Sequence, residues 1–248
     1  MEIGLKARGR QAWQNWTQGL DLQTVLVLLL STVFLILFHE NGSSSFFRAH
    51  FSKYFHPGKY SPLYPALYWY GSSFLMLGII PLLLGLVAFK KPIRYWGVGL
   101  GDWKFGLSAT ASMYALFLPV LVIISFSPSF QHKYPLFSTA TASGIHFIIH
   151  ELAYALYFIG WEFIFRGFML FGLKEKLGYY AVFIQMVPFA IMHFGKPQIE
   201  TLSAVAAGII LGYLALRAKS FWYGWMLHAL IAVTNDVLAS IQKGKPWG

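Results

Sequence analysis

Seven stretches of about 20 predominantly apolar residues run through this chain, each near the length an α-helix needs to cross a bilayer. They fall at approximately 22–39, 66–89, 106–127, 143–173, 177–194, 199–217 and 221–241. In hydrocarbon every backbone N–H and C=O must be bonded inside the protein, so stretches of this kind become helices. A chain that is 57% hydrophobic and 11% charged lies far outside soluble norms. The expected fold is all-α, a polytopic integral-membrane helical bundle of about seven (6–8) transmembrane helices.

The fourth stretch is too long for one simple crossing and is expected to break, tilt or project. Pro81 and Pro119 are expected to kink the second and third spans. The first run, Leu22–Phe38, ends in His39-Glu40-Asn41 with no small-residue cleavage site, so it reads as a retained span. The loop 40–65 is rich in aromatics and reads as interfacial. Residues 1–104 thus comprise a basic segment, two spans and this loop, followed by a core at 105–248.

A net charge of +10 raises the question of nucleic acid, but the basic residues are scattered between spans and form no patch. They report orientation instead. With the N-terminus inside, Lys6, Arg8, Arg10, Lys90, Lys91, Arg94, Lys104, Lys174, Lys176, Arg217 and Lys219 are cytoplasmic. Arg48, Lys53, Lys59, Lys133, Lys196, Lys243 and Lys245 are then outside, a bias that favours this orientation. There is no cysteine, which excludes disulfides, thiol nucleophiles and Cys–zinc sites.

Four groups place polarity where a bilayer excludes it. Glu162 and Arg166 are spaced i, i+4 and can pair on one helix face. Ionisable residues in a span are costly and commonly functional. Gln185, Phe189 and His193 form one stripe at i, i+4 and i+8. His228 and Asn235 are seven residues apart and face the same way, with Asp236 about 80° further round. Glu200 opens the sixth span. Together these supply a base, an imidazole and oxyanion donors, the means to attack an acyl carbon with water. Intramembrane carboxylates and histidines equally suit a proton- or ion-coupled transporter.

Other signatures fail. His150-Glu151 begins the zinc motif H-E-x-x-H, but Tyr154 stands where its second histidine belongs. His146, His150 and Glu151 could touch a metal, yet no further ligand is evident, and no metal site is assigned. Gly99-Leu100-Gly101-Asp102 matches the G-x-G-D of intramembrane aspartyl proteases, but no second aspartate is placed to share its proton, so it reads as a turn. No G-x-S-x-G stands out.

Glu162-Phe163-Ile164-Phe165-Arg166-Gly167, then Phe189-x-x-x-His193, then His228, resemble the three motifs of the CAAX protease and bacteriocin-processing (CPBP, or Abi) family. The likeness covers roughly residues 145–240, and Tyr95–Lys104 is similar to the segment that often precedes the family core. It implies an intramembrane protease with a water-filled cavity, His193 orienting or activating water, His228 donating to the oxyanion and Arg166 holding Glu162. Family members have been described as metalloproteases and as metal-free glutamate-dependent ones, so zinc is a possible cofactor but no cofactor is assigned.

The chain departs from the pattern twice. Trp161 occupies the place of the first, usually water-activating glutamate, and Ala232 the place of the third motif's Asn or Asp. Glu162, Glu151 or Glu200 is then the carboxylate for catalysis, with Glu162 favoured. The leading expectation is a membrane endopeptidase acting on a membrane-associated protein or peptide. Its water would be activated by Glu162 with His193 and its oxyanion held by His228 and Asn235. The alternative is an inactive relative that binds peptide as a scaffold or immunity protein. Membrane lipids and a peptide are the expected partners, nucleic acid is not, and a bacterial plasma membrane is the expected location.

Overall fold

A computed structural model describes residues 18–244; Lys6, Arg8, Arg10 and Lys245 of the charge tally lie outside them. The architecture is helical throughout these residues, with six helices long and apolar enough to cross a membrane. We number the α-helices α1 (Leu22–Asn41), α2 (Ser44–His50), α3 (Tyr64–Ser73), α4 (Ile80–Val87), α5 (Trp103–Ser125), α6 (Pro128–Lys133), α7 (Gly144–Glu162), α8 (Leu170–Leu177), α9 (Tyr180–Ile191), α10 (Gln198–Ala218) and α11 (Trp222–Gln242).

Local chemistry sets the starts of several helices. Asp21, Asp102, Ser127 and Ser143 each accept the backbone N–H three residues on, as N-caps of α1, α5, α6 and α7. The G-x-G-D stretch is therefore a turn and a cap. Gly101 has a positive φ of 54° and lies against the Ala218 carbonyl, to which Asp102 donates its N–H at 2.8 Å.

The long fourth stretch is one run, Gly144–Leu177, made of α7, a π-helical turn at Phe163–Met169 and α8. It is the buried axis of the bundle: Ile164, Phe165, Arg166 and Phe168 are all fully enclosed. By contrast α5 lies at the periphery, with Leu116 and Ile123 more than 70% exposed, as a lipid-facing helix requires. A second π turn, Phe74–Ile79, joins α3 to α4 just before Pro81. It absorbs the hydrogen bond that proline cannot donate, which is the form the expected disruption takes. Pro119 lies inside α5, which continues through it.

Small residues permit close crossings. Gly160 of α7 packs so tightly on α3 that a Cβ there would overlap the Ser73 carbonyl, while Ser73 Oγ donates to the Tyr157 carbonyl at 2.9 Å. Gln185 of α9 donates to the Gly208 carbonyl of α10 at 2.7 Å.

The fifth expected span is the shortest. α9 has only 12 residues, about 18 Å at 1.5 Å per residue, and is followed at once by the turn into α10. The chain thus reverses early and leaves His193 on the turn. The two ends of the bundle are stitched by different loops. Lys91–Glu175 and Arg217–Asp102 pair at one end, at 2.9 and 3.0 Å. Lys133 and Lys243 donate to the Gly195 and Tyr134 carbonyls at the other. Successive loops thus group alternately at the two ends of the bundle.

Candidate active site

Glu162 ends α7 and Arg166 lies inside the π turn, both completely buried. Arg166 Nη1 donates to Glu162 Oε1 at 2.9 Å, so the i, i+4 pair forms. Its guanidinium also lies over the Phe189 ring, 3.9 Å from the centroid, a cation–π contact linking the turn to α9. The same Glu162 oxygen accepts His228 Nδ1–H from α11 at 2.8 Å. Gly224, one turn before His228, makes this approach possible: a Cβ there would stand 2.9 Å from Glu162 Oε2.

His193 donates Nδ1–H to the Phe189 carbonyl at 2.7 Å. A carbonyl oxygen can only accept, so the proton on Nδ1 leaves Nε2 with the lone pair in the neutral ring. The His193 and His228 rings lie nearly parallel, 15° apart, with centroids separated by 6.3 Å. Both line a cavity of about 220 Å³. Trp161, Glu200, Ala232 and Asn235 line it as well; Glu162 does not.

Each residue singled out in the sequence therefore has a definite place. His193, His228, Asn235 and Glu200 share the cavity. Glu162 and Arg166 stand behind it, with Glu162 bonded to His228 rather than to His193. Gln185 belongs to the α9–α10 contact. Glu151 and Asp236 lie together elsewhere, beside His150. His146 is committed to Ser143 Oγ and the Lys59 carbonyl, at 2.7 and 2.9 Å.

At the cavity's polar end Tyr134 donates to both oxygens of Glu200, at 2.8 and 3.0 Å, and Lys196 pairs with Glu200 at 3.2 Å. Burial, reinforced by the Glu200 charge, pushes the Tyr134 phenol well above its usual pKa and keeps it a donor. Burial and then the Lys196 charge hold the neighbouring Lys133 ammonium below its ordinary value. Tyr134 and Lys196 were not evident as site residues in the sequence; Tyr134 is brought in by a loop 66 positions from Glu200, whereas Lys196 lies only four residues before it.

The two positions that depart from the family pattern also face the cavity. The Trp161 indole stacks on Tyr157 at 5.5 Å and meets His193 edge-on at 5.9 Å. Ala232 offers a methyl where an amide or carboxylate was expected, and Asn235 supplies the amide one turn later. As for metal, His193 and His228 are joined by no third His, Asp or Glu in a compact ligand group among the described residues. They do not form a three-ligand site.

Residues 146–234 match the family model described as type II CAAX prenyl endopeptidase Rce1-like. The family resemblance read from the motifs is borne out over this segment, which contains Glu162, Arg166, His193 and His228. With the six spanning helices, it supports an integral multi-pass membrane protein and, at the level of the family, a membrane endopeptidase. No curated protein and no solved structure matches the chain.

Proposed function

We propose that this chain, similar over residues 146–234 to the Rce1-like type II CAAX prenyl endopeptidases, hydrolyses a peptide bond of a membrane-associated protein or peptide in the His193–His228 cavity. The observation that carries the reading is the pair of nearly parallel imidazoles, each fixed through Nδ1, lining one cavity of about 220 Å³. His193 Nε2 takes a proton from water as the water oxygen attacks the carbonyl carbon. His228, held through Nδ1–H by the buried Glu162 carboxylate, donates Nε2–H to the oxyanion when its ring carries both protons, together with the Asn235 amide. The proton on His193 then passes to the leaving nitrogen as the C–N bond breaks. Glu162 is a positioning residue in this scheme, and Arg166 holds it in place.

Glu200 is the carboxylate of the cavity, but Tyr134 and Lys196 occupy it. Its part is to hold the polar end and to offer charge to the amine product. The seat of the cavity at the end carrying Lys133, Lys196 and Lys243 gives substrate entry from the less basic face of the bundle.

One observation favours a second reading, a peptide-binding relative without hydrolysis: the Trp161 indole fills wall space that the resemblance assigns to a water-activating glutamate. Purified protein in proteoliposomes, incubated with membrane-anchored peptides and analysed for new termini, separates the two. Hydrolysis predicts cleavage by the wild type that is lost in both His193→Ala and His228→Ala, with normal accumulation of both variants. Peptide retention without new termini supports the second reading.

A further inference from the structure

A second ionic cluster lies off the cavity. His150 and Glu151 of α7 face Asp236 of α11, and none of the three lines the His193–His228 cavity. His150 Nδ1 is 3.2 Å from Glu151 Oε1 and 3.9 Å from Asp236 Oδ2. One donor atom from each residue falls within 4.8 Å of the others. His150 and Asp236 are fully enclosed, and Glu151 is 9% exposed.

The charges in this cluster do not close. Among the described residues the only ion-pair partner of either carboxylate is His150 itself; no Lys or Arg pairs with them in contact, Lys196 acting on Asp236 only at a distance. Neither oxygen of Asp236, nor Glu151 Oε2, meets strict hydrogen-bond geometry; the Leu136 N–H and the Glu151 carboxyl are the polar groups beside Asp236. Buried polar atoms are rarely left in this state, and buried like charges repel. Tyr70 OH stands 2.7 Å from His150 Nε2 and can accept its proton, which turns the Nδ1 lone pair toward the carboxylates. A metal-binding histidine is held in this manner, with its outer nitrogen bonded to an orienting group.

We propose that His150, Glu151 and Asp236 form a buried site for a divalent cation of the zinc class. One imidazole nitrogen and carboxylate oxygens are a zinc-type donor set, and the two oxygens of Glu151 with one of Asp236 bring the donors to four. A divalent ion neutralises the two carboxylates. It also clamps α7 to α11, the helices that carry Glu162 and His228, so its role is structural.

The test uses the full-length protein in detergent, stripped with chelator, and titrated with Zn2+ alone in competition with a chromophoric chelator. The wild type is expected to bind one equivalent, to unfold at higher temperature with Zn2+, and to give a visible Co2+ spectrum with low coordination number. His150→Ala and the isosteric Asp236→Asn should weaken binding at least tenfold and lose the thermal shift. Tyr70→Phe, which keeps every ligand, should weaken binding about tenfold. His193→Ala and His228→Ala should bind as the wild type does. A wild type that binds no Zn2+ overturns the proposal and leaves a proton shared by Glu151 and Asp236. Binding that survives Asp236→Asn but is lost in His193→Ala overturns it as well.

Discussion

Two buried clusters, both built between α7 and α11, solve the same electrostatic problem in opposite ways. Around Glu162 a carboxylate is matched inside the protein: Arg166 supplies the positive charge and His228 a second donor to the same oxygen. Around Asp236 two carboxylates share one imidazole and no side-chain cation. In the first cluster the carboxylate charge is paired as the chain folds, although Glu162 Oε2 and Arg166 Nε and Nη2 make no hydrogen bond, and the pair orients a ring that faces a cavity. The second is complete only with something from outside. Removing a charge from the first should therefore destabilise, whereas removing one from the second should not.

The largest effect is expected for Arg166→Met, which strands Glu162 in the core. Loss of one partner of a buried pair costs about 3–5 kcal/mol. Thermal unfolding should show it, and the double variant Glu162→Leu/Arg166→Met should recover most of the loss while remaining inactive. Glu162→Gln should leave the fold largely intact yet lower the cleavage rate by roughly 10²–10⁴-fold, because His228 loses the carboxylate that fixes its ring. If that variant cleaves normally, the first cluster is only a structural clamp.

Gly224→Ala brings a methyl to within 2.9 Å of Glu162 Oε2, and a cost of about 1–3 kcal/mol is expected with reduced activity. Asp236→Asn reverses the sign: in metal-free protein it should raise stability by about 1 kcal/mol or leave it unchanged, since it removes one of two adjacent carboxylates. A loss as large as that of Arg166→Met would erase the contrast between the clusters.

The smallest effect belongs to the exposed pair Arg217–Asp102, whose side chains are 63% and 42% accessible; Arg217→Ala should leave the unfolding temperature unchanged. The Asp102 carboxyl is held below its usual pKa by the Phe105 N–H and then by Arg217. Its folded-state pKa lies below the unfolded one, so this contribution is whole at neutral pH. It is lost only as pH falls through the acid range toward the lowered value. A pH series comparing wild type with Asp102→Asn should therefore converge in acid and diverge above it.

Much of this architecture was legible in the chain. Apolar run length gave the spans, because hydrocarbon imposes helix on any segment that crosses it. The Glu162–Arg166 pair was readable because i, i+4 contact is local, and the His228–Asn235 face because seven residues nearly complete two turns. What a single helix cannot disclose is which neighbour it meets. The bond from Glu162 to His228 spans 66 positions, and in the mechanism proposed above it makes Glu162, the favoured water activator, the support of an imidazole instead. His150, Glu151 and Asp236 were each visible, but their meeting depends on the crossing of α7 and α11. The offset of Asp236, about 80° round from the His228–Asn235 face, is what points it at the other cluster. The early end of α9 also escaped the hydropathy pattern, since its apolar run continues through the turn at His193.

The most direct test of the proposed hydrolysis is the fate of the water oxygen. In proteoliposomes suspended in ¹⁸O-water, a membrane-anchored peptide cleaved by the wild type should carry one ¹⁸O in its new C-terminal carboxylate, and His193→Ala or His228→Ala should yield no labelled product. Labelled product formed at the wild-type rate by either variant would contradict the account.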